Sequence, residues 1–518
     1  MQVDIIKNAK RNTLFGFINK AVLMLCPFLE RTAIRFVLGA EYLGLNSLFV
    51  SVLTVLNLTE MGFGAAMVYH MYKPLAEGDT KKINALLSVY KSVYRVIGIM
   101  LLGIGLMLIP VLPSLIKDSY PQEINLTRLY LIYLSNTVLS YFSFAYLSSL
   151  LIVHQRTDVQ STINSLVRVL LLILQVAALL LMKSYYAFAV LLPVSTVINN
   201  CWVAYRVRRL YPQYRPEGMI SQEEKRSLKT LVIGSFIQRA CAVTRNSLDS
   251  ICISAFFGLT LTAIYDNYYA IMASITAIMC VISAAFEGGI GNHVVTKTVE
   301  ENFLELKRLN FFYLWIGGWS SACLLCLYQP FIQLWMGKNM VLQNSSVILL
   351  VVYYYLLKLG DMITLYFTAK GLWWKSRHRS IAETCLNVIL NILLGKTMGI
   401  NGIILATLIS LFLCNYIWST RIIFREYFGL SRWKYYYLYE GRQTLVNLLA
   451  IAVTAYLCRF VSWDNLLMTL MGRAVICVIV PNLIMFLVYS RTDDFRYAIS
   501  QLIRQKQQQE KPRRQAAE

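Results

Sequence analysis

Seven basic residues lie inside long apolar stretches of this sequence, and their chemistry points to the binding of anions. They are Lys20, Arg31, Arg35, Arg168, Arg239, Arg245 and Lys358. A charged side chain at the centre of a bilayer costs roughly 2.5–3.5 kcal/mol on insertion scales, so positions that face lipid are unfavourable. Guanidinium groups that line a wet cavity bind phosphate through paired donors. These residue types therefore predict an anion-binding site within the membrane.

Three of these residues share one face of the first predicted helix. At 100° per residue, Lys20 and Arg31 fall about 20° apart, and Arg35 lies one turn beyond Arg31. The neighbouring acid, Glu30, points about 100° away from that face, so it does not match the basic side chains. We predict that this basic stripe, defined as Lys20, Arg31 and Arg35, binds the substrate.

Two arginines of the seventh predicted span, Arg239 and Arg245, complete the predicted binding set. Arg245 stands four residues before Asp249. Residues at this spacing meet on a helix, so the alternative for Arg245 is a purely structural ion pair. Lys358 has the same alternative because Asp361 follows it by three residues.

Carboxylates inside the spans are candidates for coupling transport to an ion, because intramembrane acids serve as ion and proton relays. Glu60 and Glu287 lie beside paired glycines, where a helix end or hinge is the structural alternative. We predict no catalytic residues, since the chain has no phosphate-binding loop of the G-x-x-x-x-G-K-[ST] type and only short outer loops. The ion-coupling candidates are Glu30, Glu60, Asp249, Asp266 and Glu287.

The chain has 11 cysteines, all in apolar stretches, where cysteine packs as a small hydrophobic residue. Cys323 and Cys326 have the C-x-x-C spacing of a redox or metal motif. Neither a second pair nor a histidine accompanies them along the sequence, so we predict no metal site and no cofactor.

The elements that must position these residues are membrane helices. The 518-residue chain is 57% apolar and only 15% charged, with a mean hydropathy of +0.54. Ordinary soluble domains are about 25% charged. On a soluble protein, the net charge of +22 would suit binding to nucleic acid, but a chain this apolar is a polytopic membrane protein.

Stretches of about 20 apolar residues give fourteen candidate spans, at 13–37, 43–69, 93–116, 127–153, 160–182, 186–205, 230–257, 259–288, 309–336, 346–369, 380–398, 401–420, 443–460 and 468–490.

Most lysines and arginines outside the spans fall on the cytoplasmic side if the N-terminus is inside. This bias predicts that both termini are cytoplasmic. It also explains the net charge, because basic segments favour the anionic inner surface of the membrane.

An internal repeat relates the two halves of the chain. Phe17-Ile-Asn-Lys20 matches Phe236-Ile-Gln-Arg239, and at the same offset Glu30 matches Asp249. We therefore predict two six-helix bundles related by a pseudo-twofold axis along the membrane normal, an arrangement typical of transporters that move two halves around a central cavity. The predicted divisions are a first bundle at 1–206, a basic linker at 207–229, a second bundle at 230–425, two additional helices at 426–490 and a basic tail at 491–518.

Several motifs make the chain resemble the bacterial Wzx-type polysaccharide flippases. They are the segment from Ala40 to Phe49, the Glu60-Met-Gly-Phe-Gly-Ala turn, Tyr72-Lys-Pro-Leu-Ala, Asn246-Ser-Leu-Asp249 with Ile253-Ser254, and Tyr265-Asp-Asn-Tyr. That family is related to multidrug and toxin extruders (MATE) and lipid II flippases, so the resemblance implies a MATE-like fold of about fourteen helices.

The resemblance also implies the activity. Such proteins move undecaprenyl-pyrophosphate-linked oligosaccharides across the bacterial inner membrane for O-antigen (lipopolysaccharide), capsule or exopolysaccharide assembly. The implied partners are that glycan lipid, the bilayer, and polysaccharide polymerase and assembly proteins, without nucleic acid. Coupling to a proton or sodium gradient is implied by the class.

Three alternatives stay open. A lipid II flippase would share the cationic cavity, whereas a MATE-type multidrug antiporter would favour acids and aromatic residues over bases. A membrane glycosyltransferase or O-antigen ligase would need a catalytic loop or a large outer domain, and neither is predicted.

Overall fold

The computed structural model describes residues 5–57, 63–117, 120–222, 241, 243–245, 247–372 and 375–497. Within these ranges the chain is helical and contains no strand. It divides into two compact units, Met1–Asp266 and Asn267–Glu518. The predicted division into bundles, linker and tail stays a prediction.

The first unit contains helices α1 to α8, a helical stretch described over 247–257 and the beginning of α9. Helix α1 packs against α7, α7 packs against α8, and α5 packs against both α4 and α8. The helices are α1 Ile5–Val37, α2 Ala40–Leu56, α3 Phe63–Glu77, α4 Thr80–Met107, α5 Leu126–Phe142, α6 Ser148–Val153, α7 Thr157–Met182, α8 Tyr185–Leu210 and α9 Leu259–Thr296.

The second unit contains the remainder of α9 and six further helices. Helix α10 packs against α11, α14 and α15, and α12 packs against α13. These helices are α10 Val299–Met336, α11 Asn344–Ala369, α12 Arg377–Met398, α13 Ile400–Phe428, α14 Trp433–Arg459 and α15 Leu466–Tyr489.

Helix α7 illustrates why these segments form membrane helices. From residue 169 to its end at Met182 it is apolar except for Gln175, as expected for a span. Residues spaced by about one turn are buried against neighbouring helices, among them Ile163, Val167 and Leu171. Other large apolar residues, such as Leu170 and Leu181, are exposed. A hydrocarbon environment accommodates this exposed apolar surface, which water would not.

Among the described residues, ten helices are long and apolar enough to cross a membrane, or eleven if the bent pair Leu126–Phe142 and Ala145–Val153 is one span. They correspond to eleven of the predicted spans. The second predicted span corresponds to two separate helices, α2 and α3. The thirteenth lies in α14, which is less apolar than the ten helices that meet the criterion for a span. The first part of the seventh predicted span, 230–240 with Arg239, lies outside the described residues, as does Glu60.

Candidate functional site

Polar contacts fix the rotation of α1 against α7. The hydroxyl of Ser165 donates a hydrogen bond to Asn19 Oδ1 at 3.1 Å, and Arg168 Nη2 lies 2.7 Å from Glu30 Oε2. Asn12 Oδ1 accepts a hydrogen bond at 2.9 Å from a backbone N–H at the start of α7. Asn12, Asn19 and Glu30 share one helical face, since each spacing is close to a whole number of turns. That polar face is directed at α7.

The basic stripe is therefore turned away from α7. Lys20 and Arg31 directly follow Asn19 and Glu30, which places them about 100° around the helix. Glu30 contacts Arg168 instead. This contact agrees with the prediction that Glu30 points away from the basic stripe. This carboxylate is thus part of the α1–α7 packing.

Arg31 is half-buried and lies between elements of the first unit. Its Nη2 donates a hydrogen bond to Ser47 Oγ of α2 at 3.4 Å. Its charge also interacts with the carboxylate of Asp266 on α9. The Asp266 carboxylate in turn accepts a hydrogen bond from Ser250 Oγ at 2.6 Å. The structure thus brings one predicted binding residue, Arg31, close to one predicted ion-coupling residue, Asp266.

Arg35 is also half-buried, but its polar contacts are incomplete. Its Nε atom is enclosed and has no hydrogen-bond partner in the described part of the chain. Buried polar atoms in proteins are nearly always hydrogen-bonded, so such a group calls for an explanation. A guanidinium with an enclosed, unpaired donor is suited to receive an anion. Lys20 is exposed.

The other predicted residues have different surroundings. Arg245 and Asp249 are 7% and 1% exposed, respectively, and Tyr265 donates a hydrogen bond to Asp249 Oδ2 at 3.2 Å. Glu287 lies on the part of α9 that belongs to the second unit, and it is exposed. The structure leaves the roles of these residues as predictions.

A separate cavity of about 680 Å³ lies among helices of the first unit. It is lined by five aromatic residues and three amides, and none of its described lining residues is charged. These residues are Tyr69, Tyr72, Tyr90, Tyr94, Phe144, Gln160, Asn199 and Asn200. We call it the aromatic–amide cavity.

The polar groups of this cavity are only partly satisfied. The hydroxyls of Tyr90 and Tyr94 lie 3.0 Å apart. Asn200 Nδ2 donates a hydrogen bond to the carbonyl of Ser140 at 3.2 Å. In contrast, Asn199 Oδ1 is buried without a hydrogen-bond partner among the described residues. Amides and hydroxyls both donate and accept, so together with aromatic faces they suit a neutral, polyhydroxylated ligand.

In the second unit, one predicted structural alternative is confirmed. Lys358 is 1% exposed, and its Nζ lies 2.6 Å from Asp361 Oδ2. Because this short contact neutralises the buried ammonium, Lys358 needs no anionic ligand.

The sequence prediction missed Glu440, a fully buried acid on α14. Asn310 and Tyr436 donate hydrogen bonds to Glu440 Oε1 at 3.1 Å and 3.2 Å, and the Tyr416 hydroxyl contacts Oε2. None of the described basic residues forms an ion pair with Glu440. The predicted span began at 443, which left this residue in a loop.

The comparison with known families and solved structures agrees with the fold. Residues 9–286 match the model of a family described as "Polysaccharide biosynthesis protein". No curated protein sequence matches the chain.

Among solved structures, the lipid II flippase MurJ in an inward closed conformation is similar, with a TM-score of 0.69 and 13% identity. The match covers 92% of this chain and 99% of that one. An inward-facing multidrug resistance MATE family transporter of the MOP superfamily has a TM-score of 0.60 at 15% identity, covering 77% of this chain and 94% of its own.

A MOP superfamily transporter from Pyrococcus furiosus, described as having a binding pocket of reverse polarity, has a TM-score of 0.56 at 15% identity. The match covers 83% of this chain and 96% of that one. These matches confirm the predicted all-α, MATE-like fold of a multi-pass membrane protein.

Proposed function

Since the chain belongs to the polysaccharide biosynthesis protein family, we propose that it is a flippase for an undecaprenyl-pyrophosphate-linked oligosaccharide. It moves this lipid from the cytoplasmic to the outer leaflet of the bacterial inner membrane by alternating access, with both of its own termini in the cytoplasm. The glycan then enters O-antigen, capsule or exopolysaccharide assembly by polymerases and their partners. The protein carries out transport and no bond-making chemistry.

The enclosed Nε of Arg35, without a hydrogen-bond partner among the described residues, is the observation that carries this proposal. An isolated buried ion costs tens of kcal/mol in the Born limit, so a pyrophosphate needs cationic donors to cross hydrocarbon. Arg31 and Arg35 stand one turn apart on α1, and the enclosed Nε of Arg35 has no hydrogen-bond partner within the described residues. Two guanidinium groups in this arrangement supply donors for both phosphates.

The aromatic–amide cavity suits the other part of the proposed substrate, its sugars. Its volume of about 680 Å³ is within the range of small-molecule sites. Tyrosine rings present apolar faces, while Gln160, Asn199 and Asn200 present donors and acceptors. We assign this cavity to the sugar part of the substrate and the basic stripe to its pyrophosphate.

Coupling to the membrane gradient supplies the energy in this proposal. An inside-negative potential favours outward movement of negative charge, or inward movement of a cation, by about 2.3 kcal/mol per charge per 100 mV. Asp266, next to Arg31, is the acid best placed to exchange a proton or sodium ion when the substrate binds. Glu30 is less suited, because its carboxylate already pairs with Arg168.

A lipid II flippase is the second candidate, because its substrate carries the same pyrophosphate and the similarity to MurJ covers nearly the whole chain. Basic residues on α1 argue against a multidrug antiporter for lipophilic cations. A membrane glycosyltransferase or O-antigen ligase has no support from the family or from the solved structures that resemble the chain.

A competition experiment in proteoliposomes distinguishes these candidates. Transfer of a fluorescent pyrophosphate-linked oligosaccharide lipid between leaflets is measured alone and with an excess of unlabelled oligosaccharide lipid, lipid II or a lipophilic cation. We expect strong inhibition by the oligosaccharide lipid and weaker inhibition by lipid II. Stronger inhibition by lipid II would favour the second candidate, and inhibition by the cation alone would contradict both flippase assignments.

A further inference from the structure

Cysteines from three helices of the second unit converge at one point. Cys326 lies on α10, Cys458 near the end of α14, and Cys477 in the middle of α15. Their three Sγ atoms all lie within 4.8 Å of one another. The thiol of Cys477 also contacts that of Cys323, one turn before Cys326 on α10. Three sulfurs therefore converge on one point, and the Cys323 side chain packs against them.

The surroundings of this cysteine cluster are apolar. Cys326, Cys458 and Cys477 are 5%, 3% and 0% exposed. Leucine, alanine and isoleucine side chains pack around them. Arg473 lies close enough for its charge to interact with Cys458. A group of thiols with a nearby cation is thus set in an otherwise apolar core.

We propose that Cys326, Cys458 and Cys477, with Cys323 as the fourth ligand, bind a structural Zn²⁺ ion. Zinc–sulfur bonds of about 2.3 Å in a tetrahedral site place the ligand sulfurs about 3.8 Å apart. Sulfur atoms that are already within 4.8 Å need only small side-chain movements to reach that spacing. Thiolate ligands select thiophilic ions such as zinc over magnesium or calcium.

Proton release accompanies metal binding at such a site. Each thiol that binds the ion releases its proton to the solvent, so binding becomes tighter as the pH rises. Four thiolates exceed the charge of one Zn²⁺ ion. The positive charge of Arg473 next to Cys458 offsets part of this excess.

The ion would fasten α14 and α15 to α10. Other contacts already hold the same helices in register: Trp319 Nε1 donates a hydrogen bond to the Cys477 carbonyl at 2.9 Å, and Asn447 Nδ2 donates one to the Leu314 carbonyl at 3.1 Å. These helices include the two that we predict as additions to the second bundle. The zinc site is independent of the transported substrate, so it stands or falls separately from the proposed flippase activity.

The test is metal analysis of the full-length protein, purified under reducing conditions through a tag without histidine. We expect about one zinc ion per chain, retained in Cys414→Ala and lost in Cys477→Ala and Cys326→Ala. Cys414 is a matched control because it is buried in the same unit but outside the cluster. Retention of zinc by a folded Cys477→Ala variant would overturn the assignment.

A second measurement does not depend on the variants. Wild-type protein stripped of metal and loaded with Co²⁺ should show thiolate-to-cobalt charge-transfer absorption with tetrahedral ligand-field bands. Absence of both zinc and this cobalt spectrum in reduced protein would refute the site. Mass spectrometry of thiol-blocked protein that shows a disulfide within the cluster would also refute it, since a disulfide leaves too few thiolates for the ion.

Discussion

Glu30 and Arg31 are adjacent in the sequence, and they face different neighbours. Glu30 joins the polar face that binds α7, while Arg31 reaches Ser47 on α2 and the charge of Asp266. The 100° step of the helix separates a structural acid from a candidate ligand-binding base. The direction of Glu30 was predictable from that step. Its partner Arg168 was not, because the packing of α1 on α7 is a tertiary contact.

At this residue scale, the Glu30–Arg168 pair should contribute to stability. Glu30→Gln leaves a partly buried guanidinium without its carboxylate, so we expect a loss of about 1–3 kcal/mol. Arg168→Gln should have a similar effect, and the double variant should lose less than the sum of the two single variants. Thermal unfolding in nanodiscs measures all three. Strictly additive losses would show that the two side chains do not interact.

The aromatic–amide cavity gives a prediction about specificity. Asn199→Leu removes the buried Oδ1 acceptor while nearly preserving volume. We expect transport of the oligosaccharide lipid to fall about two- to tenfold, the equivalent of one hydrogen bond. Transport of undecaprenyl pyrophosphate without sugar serves as the control and should be unchanged. An equal loss for both lipids would contradict the assignment of this cavity to the glycan.

At the scale of elements, α2 approaches the beginning of α9 through Gly44. A Cβ atom at Gly44 would lie 2.1 Å from the backbone oxygen of Leu259. Because backbone must move to relieve this overlap, Gly44→Ala should cost about 1–3 kcal/mol.

Gly103 on α4 is the matched control, since no atom lies within 4 Å of its added Cβ. Gly103→Ala should be neutral or stabilising by up to about 1 kcal/mol, because alanine is the better helix former. Thermal unfolding measures the stability of both variants relative to wild type. Equal stabilities for the two would show that α2 and α9 do not pack as described.

Helix α14 shows where the reading of elements from sequence fails. Hydropathy predicted a span at 443–460, but the helix begins ten residues earlier, at Trp433. The buried residues Glu440, Gln443 and Asn447 recur at helical spacing and form a polar stripe on one face of the helix. That stripe is the sequence feature that indicates the longer helix. Hydropathy averages over all faces of a helix, whereas such a stripe is visible only when faces are separated.

At the scale of the whole molecule, the fold class followed from composition. The chain is 57% apolar, and its apolar stretches are long enough to cross the hydrocarbon of a bilayer. Backbone groups inside hydrocarbon must form their hydrogen bonds within the protein, and a helix does so within one stretch. The apolar lengths therefore predicted most of the observed helices.

The convergence of Cys458 and Cys477 on Cys326 was not predictable in this way. More than one hundred residues separate Cys326 from Cys458 in the sequence. Local spacing identifies ligands within one element, but ligands from three helices are brought together only by the packing of α10, α14 and α15. The sequence prediction of no metal site rested on local spacing alone.

The most direct test of the central claim is a leaflet-transfer assay in proteoliposomes that compares wild type with Arg31→Gln, Arg35→Gln and the control Lys396→Ala. Lys396 is a basic residue exposed at the end of α12. We predict that each arginine variant transfers the pyrophosphate-linked oligosaccharide about tenfold more slowly or worse, because charge-assisted hydrogen bonds contribute about 1.5–3 kcal/mol. Lys396→Ala should match wild type. Wild-type rates in both arginine variants would contradict the claim that these residues carry the anionic headgroup across the membrane.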